Sequence, residues 1–383
     1  MKLKVAILID WFLPGNKAGG PVKSIYSLIQ SLQDKIDFYV ITMNTDIASN
    51  KVYNIPANQW TKYENINVFY FSKDYFSTKI LLKCLNTISP NVLYINSFWS
   101  FRFSILPLVL KKINKLNIPI VLAPRGMLEA GSLNIKSFKK KIYLWLSRLL
   151  NVYNNIIFHA TSDAEKKAIE KFFSTQQVFL IPNFSVVENI NVKIEKKKNE
   201  LKLFFLSRIS PIKNLDFALS VLHQLQIPKD AYIEYNLYGN NEDKIYFKQC
   251  KERIQTLPPN IKVTYKGILD FHQIPQMIAQ HHFLFLPTKN ENFGHAIVET
   301  LSCGRPVLIS NCTPWNDVNT NGCGFALPLN EKFFIQKLQE LVDLNNETFQ
   351  IMCNNAKQFI QSQLNLSTLS QEYIKMFEYA SKN

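Results

Sequence analysis

The stretch Glu291-Asn-Phe-Gly-His-Ala-Ile-Val-Glu299 places two carboxylates eight residues apart around a glycine. Before it, the apolar run His282–Pro287 reads as a buried strand, and after it Ala296–Leu301 reads as a short helix opened by Gly294. At such a junction the first helical amides point outward, and the helix dipole favours an anion there. Glu291 in the loop and Glu299 in the helix can both accept hydrogen bonds from hydroxyl groups. The combination suits a ligand that carries a diphosphate and a sugar. Spacing alone does not carry this reading, because Glu234 and Glu242 are also eight apart. That second pair starts inside a strand-like run, Ala231–Tyr238, with no helix-opening glycine between its members, and reads as coincidence.

Three further loops are equipped for the same ligand. In Pro14-Gly-Asn-Lys-Ala-Gly-Gly-Pro21, the paired Gly19 and Gly20 would let the backbone approach a phosphate; alternatively the sequence only bends the chain. In Ser207-Arg-Ile-Ser-Pro-Ile-Lys-Asn214, Arg208 and Lys213 could neutralise a diphosphate as negative charge builds on it, or could be two solvated cations. In Tyr265-Lys-Gly-Ile-Leu269, the backbone at Gly267 and Ile268 could meet a nucleobase. His295 falls in the first helical turn as a candidate ligand contact. Trp315 reads as packing or as a wall of the nucleotide site.

The elements that must position these loops alternate between strand and helix along the whole chain. Strands at Val5–Asp10, Phe38–Met43, Val92–Asn96, Ile118–Ala123, Ile156–Thr161 and Val178–Pro182 are separated by helical segments, the pattern of a parallel sheet covered on both faces. A second series runs from Leu201–Ser207 to Val307–Ser310. The fold class is therefore α/β, with two doubly wound Rossmann-like domains facing a cleft. The expected bounds are 1–192 and 200–365, with the charged stretch from Val192 to Glu200 as linker. A last helix, from about 366 to 383, is expected to run back onto the first domain.

Composition excludes several classes. A hydrophobic content of 47% and an aromatic content of 13% over 383 residues describe a globular chain, without low-complexity segments. The N-terminal apolar run is stopped by Asp10 and reads as a first strand rather than a signal segment. No run approaches the ~18 apolar residues of a spanning helix, so a cytoplasmic protein is expected. The six cysteines form no C-x-x-C and no zinc-like group with the histidines, so neither a metal nor another cofactor is expected.

Charge is unevenly spread. Residues 1–190 carry 23 Lys and Arg against 11 Asp and Glu, whereas residues 191–383 carry 21 against 18. The basic surface belongs to the first half, and an anionic membrane surface or an acidic acceptor would suit it. Nucleic acid is not expected as a partner, because no recognition motif is present. The segment 136–150 is the candidate membrane contact. Phe138, Ile142, Trp145 and Leu149 recur at helical spacing beside Lys139, Lys140 and Lys141. In the alternative the apolar row packs on the sheet and the lysines are solvated.

Taken together, the ordered loops resemble glycosyltransferase family 4, two-domain retaining enzymes of the GT-B fold. The resemblance rests on Gly19-Gly20, Arg208 with Lys213, Tyr238-Gly239, the Glu291–Glu299 stretch and Cys303-Gly-Arg-Pro-Val307. It implies that Arg208 and Lys213 hold the diphosphate of a UDP- or GDP-sugar, that Glu291 and the amides of Phe293 and Gly294 hold the transferred sugar, and that Glu299 binds the ribose. Glu291, Arg208 and Lys213 would form the catalytic set. The family needs no metal, and no D-x-D occurs in this chain. Where many members carry a His after the strand at Ile120–Ala123, this chain has Arg125, either a contact to donor sugar or acidic acceptor or a structural ion-pair partner. His159, near a Ser162-x-x-Glu165 capping box, reads as structural. A glycan or lipid-linked saccharide is the implied acceptor, in surface-polysaccharide or lipopolysaccharide synthesis at the inner face of the cytoplasmic membrane. A sugar-nucleotide epimerase or a glycan phosphorylase is the alternative.

Overall fold

The computed structural model describes residues 2–47, 49–129, 137–173, 176–185 and 194–383. The chain forms two compact units, one of Met1–Phe184 with Leu366–Asn383 and one of Ser185–Asn365.

In the first unit, strands β1 (Leu3–Leu8), β2 (Ile36–Met43), β3 (Trp60–Tyr63), β4 (Ile66–Phe71), β5 (Val92–Ile95), β6 (Ile120–Leu122), β7 (Ile156–Ala160) and β8 (Val178–Leu180) form one sheet, ordered β3-β4-β2-β1-β5-β6-β7-β8. All neighbours are parallel except β3 and β4. Strand parity divides the core. Val5 and Ile7 face one layer with Ile25 and Leu28, whereas Ala6 and Leu8 face the other with Leu81, Leu85 and Phe103. The helix Leu366–Ser381 completes the first layer with Tyr373, Met376 and Phe377.

The β3–β4 hairpin was not expected from sequence. Its turn is Glu64-Asn65, both at positive φ (45° and 66°), in a two-residue loop where Tyr63 pairs with Ile66. Such turns are usually marked by glycine, which is absent here.

In the second unit, strands β9 (Glu200–Leu206), β10 (Tyr232–Tyr238), β11 (Ile261–Gly267), β12 (Phe283–Leu286), β13 (Val307–Ser310) and β14 (Gly324–Leu327) form an all-parallel sheet, ordered β11-β10-β9-β12-β13-β14. Strand β14 was also unexpected. The expected linker differs too: the units divide at Phe184/Ser185, and Lys196 is buried in the second. Its Nζ donates to the carbonyls of Lys197 (2.8 Å), Val342 (3.2 Å) and Leu344 (3.3 Å), two of them at the end of the helix Glu331–Asp343. Those carbonyls have no partner within the helix, so a lysine that looks solvated in sequence is drawn inside. Val192 and Lys193 lie outside the described residues.

The helix Ser137–Leu149 turns Leu144 and Ser147 inward, while Phe138, Ile142, Trp145 and Leu149 are exposed. The apolar row does not pack on the sheet. Lys136 lies outside the described residues.

Candidate active site

In the second unit the chain proceeds from β9 outward to β10 and β11, then returns to β12 on the other side of β9. The crevice at such a reversal, outside the carboxyl ends of the two strands, is where doubly wound sheets bind ligands. The loops that leave these strands are 207–214 and 287–294, which carry Lys213 and Glu291.

The two loops are stitched together by backbone contacts. Asn214, at φ 62°, donates its side-chain amide to the carbonyl of Pro287 (3.0 Å), and the amide of Lys289 donates to the carbonyl of Ile212 (2.8 Å). The Thr288 hydroxyl lies 3.1 Å from that same carbonyl, and the Ser310 hydroxyl donates to the carbonyl of Thr288. The amide of Glu291 donates to the carbonyl of Cys312 (3.2 Å). These bonds fix both loop backbones, so their side chains are held in place rather than left to solvent. Across the junction Lys213 Nζ stands 2.6 Å from Glu291 Oε2, with both side chains largely covered.

Gly294 caps the helix His295–Ser302 at φ 81°. A side chain there would be strained by its backbone and crowded, since its Cβ would lie 3.1 Å from Glu291 Cγ and from Ile297 Cδ1, and 3.2 Å from Trp315 Nε1. Glycine thus lets the Glu291 side chain lie over the helix start. Trp315 fastens the turn from behind: it is buried, and its Nε1 donates to the carbonyl of Phe293 (2.5 Å). Of the two readings of Trp315 the packing one describes its position. The Phe293 ring is buried and meets His295 edge to face at 4.8 Å. Glu299 is buried one turn further along the helix.

Arg208 is placed differently from Lys213. Its Nη1 lies 2.9 and 2.7 Å from the two carboxylate oxygens of Glu242, and both side chains are exposed. Glu242, set aside as coincidental in sequence, is therefore the partner of a candidate diphosphate ligand. Their contact depends on β9 and β10 being neighbours, which no local pattern reveals. Gly239 makes that approach possible, because a Cβ on it would fall 1.9 Å from the carbonyl oxygen of Ser207. Its amide donates to the carbonyl of Gly267 (2.8 Å), which sits at φ 84° at the end of β11, with Ile268 half-buried after it. Arg305 of the Cys303-Gly-Arg-Pro-Val307 stretch is buried and bonds the carbonyls of His281 (3.1 Å) and Ala279 (2.9 Å), a structural role.

The remaining candidates belong to the first unit. Its own chain reversal falls between β1 and β5. Gly19, at φ 69°, caps the helix that Gly20 begins, with open space where a Cβ would point. The preceding loop is tied down by Asp46, whose Oδ2 accepts from the amides of Asn16 and Lys17 (3.0 Å each). Asp10, which in sequence only marked the end of a strand, accepts a hydrogen bond from the Ser100 hydroxyl at 2.6 Å, and burial raises its pKa.

Arg125 sits at φ 58° after β6 and is half-buried. Among the described residues its guanidinium bonds neutral oxygens: Asn96 Oδ1 (3.1 Å from Nε), Asn183 Oδ1 and the Tyr94 hydroxyl (3.0 Å). Among the described residues no carboxylate pairs with Arg125, and these bonds act as a hydrogen-bonded anchor. Tyr94 in turn bonds His159 Nδ1 (2.6 Å), and His159 Nε2 bonds the carbonyl of Ile181 (2.8 Å). A carbonyl only accepts, so Nε2 carries the proton and Nδ1 accepts from the tyrosine. Burial, reinforced by the Arg125 charge, pushes the His159 pKa down to about 3. His159 is structural and neutral. Ser162 accepts from the Glu165 amide (3.2 Å), as the expected capping box requires, and the Glu165 carboxylate also bonds Thr161 and the amide of Gly126 (2.6 Å).

Residues 186–359, which contain Lys213, Glu291 and Glu299, match the family model described as Glycosyl transferases group 1. This segment is similar to that glycosyltransferase family. Among curated relatives, an uncharacterised 41.2 kDa protein in the cps region of Klebsiella pneumoniae is 21% identical over 309 residues, covering 78% of this chain and 82% of that protein. The O-antigen chain mannosyltransferase RfbU of Salmonella typhimurium is 22% identical over 231 residues, 58% of this chain and 64% of RfbU. The solved structure of Anabaena Alr3699/HepE in complex with UDP and glucose has a TM-score of 0.72 at 17% identity, covering 98% of this chain and 100% of that one. The chain therefore has the GT-B fold expected from its resemblance, with an α/β Rossmann-like arrangement in each unit.

Proposed function

We propose that the protein is a retaining, metal-independent glycosyltransferase. It moves a sugar from a UDP- or GDP-sugar to a glycan or lipid-linked saccharide during surface-polysaccharide assembly at the cytoplasmic face of the membrane. The observation that carries this reading is the Lys213–Glu291 contact of 2.6 Å beside the glycine-opened helix. It sets a cation and a carboxylate side by side where a diphosphate meets a sugar. The HepE structure, a complex with UDP and glucose, favours such a donor, and the cps and O-antigen relatives favour a polysaccharide product.

In this account Lys213 neutralises the donor diphosphate, joined by Arg208 once it exchanges Glu242 for phosphate oxygen. Glu291 and the amides at Phe293 and Gly294 hold the sugar hydroxyls, Glu299 the ribose, and His295 lines the helix start. The backbone at Gly267 and Ile268 lies beside the base; Gly19, Gly20 and Arg125 are the first unit's own candidates for ligand contact. The bond between the anomeric carbon and the diphosphate oxygen breaks with its electron pair leaving on the diphosphate. An acceptor hydroxyl oxygen then bonds the same face of that carbon, and its proton passes to a diphosphate oxygen. Charge stabilisation on the leaving group is the largest contribution the protein makes. Lys213 supplies charge that a divalent metal would otherwise bring.

The test is incubation with a panel of nucleotide sugars and saccharide acceptors, with product anomers read by NMR and with EDTA in one arm. The reading predicts an acceptor-dependent product of retained configuration whose rate EDTA leaves unchanged. Inversion, loss of rate on chelation, or conversion of the sugar nucleotide without acceptor would contradict it.

A further inference from the structure

The helix Ser137–Leu149 has two apolar faces with different fates. One carries Leu144, which is buried among Phe103, Leu108 and Phe158, and Tyr143, whose hydroxyl lies 3.0 Å from that of Tyr153. The opposite face carries Phe138 (76% exposed), Ile142 (42%), Trp145 (64%) and Leu149 (65%), spaced three and four residues apart and so aligned in one row. A helix already anchored by its inner face has no folding reason to display four large apolar side chains in a row. Contiguous exposed apolar surface of this kind marks an interaction site.

The charges around the row identify what covers it. At 3.6 residues per turn, Lys139 falls along one flank of the row and Lys141 with Arg148 along the other. All three are exposed, and the helix contains no acidic residue. Lys140 differs: its Nζ lies 5.2 Å from the Trp99 ring centroid, on the inner side. The imbalance extends beyond the helix, since residues 75–162 contain twelve Lys and Arg and a single carboxylate, Glu129. An apolar ridge between two cationic margins matches the boundary between acyl chains and anionic headgroups. A protein partner would need an equally one-sided acidic surface around an apolar groove.

We propose that this face docks on an anionic lipid bilayer, with Phe138, Ile142, Trp145 and Leu149 entering the headgroup boundary and Lys139, Lys141 and Arg148 pairing with lipid phosphates. The inference does not depend on which sugar is transferred. It places the first unit at the membrane by a peripheral contact; among the described residues no helix is long and apolar enough to cross one.

Co-sedimentation of the full chain with phosphatidylglycerol/phosphatidylcholine vesicles and with phosphatidylcholine vesicles tests it. The wild type is expected to bind the anionic vesicles and to release them in high salt. Lys139, Lys141 and Arg148 changed together to Gln should weaken binding at least about tenfold, since each cation near such a surface contributes measurably. Trp145→Ser combined with Phe138→Ser should weaken it comparably, and Lys140→Gln should leave it unchanged. All the replaced side chains except Lys140 are exposed, so melting temperatures should match the wild type. The proposal is overturned if the wild type ignores anionic vesicles, if the triple Gln variant binds as the wild type does, or if Lys140→Gln is as damaging as the triple change. It is equally overturned if the variant combining Trp145→Ser with Phe138→Ser loses only self-association in sedimentation velocity, which would make a second copy of the chain the occupant.

Discussion

Arg208 and Glu242 form an ion pair through both carboxylate oxygens, at 2.7 and 2.9 Å, on the loops that leave two adjacent parallel strands. Both side chains are exposed, so the pair contributes only about 0.2–1 kcal/mol and yields readily to a stronger anion. A diphosphate is such an anion. The glutamate therefore holds the arginine near its working position without competing seriously for it.

The first prediction follows from that weakness. Glu242→Ala should keep kcat/KM within about fivefold of wild type, the factor that 1 kcal/mol represents, whereas Arg208→Ala should lower it about 100-fold. Steady-state kinetics on both variants with the preferred donor decide the matter. Equal losses in the two would mean that the pair, rather than the arginine, is what the reaction needs.

Gly294 and Gly19 offer a paired test of backbone against packing. Both lie at positive φ, but only Gly294 would place a Cβ against three side chains. Gly294→Ala should destabilise the protein by about 1–3 kcal/mol in urea unfolding, with Gly19→Ala costing less. If the two cost the same, the crowding around Glu291 and Trp315 is not what demands glycine.

Two buried histidines make stability depend on pH. Burial pushes the pKa of His159 and of His282 down to about 3, and His282 is fixed by the amide of Lys202 (2.9 Å) and the carbonyl of Glu195 (3.3 Å). The unfolded chain takes up these protons near pH 6.5, the folded protein only near pH 3, so the unfolded state is favoured progressively as pH falls through that window. The urea midpoint should be constant above about pH 7 and drop between pH 6.5 and 5. His159→Gln should lower stability at pH 7.5 and make the pH dependence shallower. A midpoint that does not change from pH 7.5 to 5 would contradict the buried neutral histidines.

What sequence reveals here is what local pattern encodes. The apolar runs of β9 and β12 and the glycine at 294 are read directly, since strand burial and a positive-φ helix cap each leave a signature within a few residues. The β3–β4 hairpin is hidden because Glu64-Asn65 replaces the usual glycine turn. Lys196 is hidden because a lysine run reads as solvated unless the carbonyls at a distant helix end are known to face it. The Arg208–Glu242 pair depends on strand order, and so does the exposure of Phe138 and Trp145, whose spacing fits either a sheet or a surface. Arg125 is a departure legible in sequence, yet its anchoring to Asn96, Asn183 and Tyr94 comes from the ends of two other strands, β5 and β8.

The most direct test of the Lys213–Glu291 site is kcat/KM for Lys213→Ala and Glu299→Ala beside Glu234→Ala. The Glu234 side chain accepts from Asn236 Nδ2 (2.7 Å), away from the loops. The account predicts a loss of at least about 100-fold for each of the first two, roughly 2.7 kcal/mol of transition-state stabilisation, with the fold intact by circular dichroism and Glu234→Ala close to wild type. Lys213→Ala retaining kcat/KM within about threefold of wild type, or Glu234→Ala losing as much as Lys213→Ala, would contradict it.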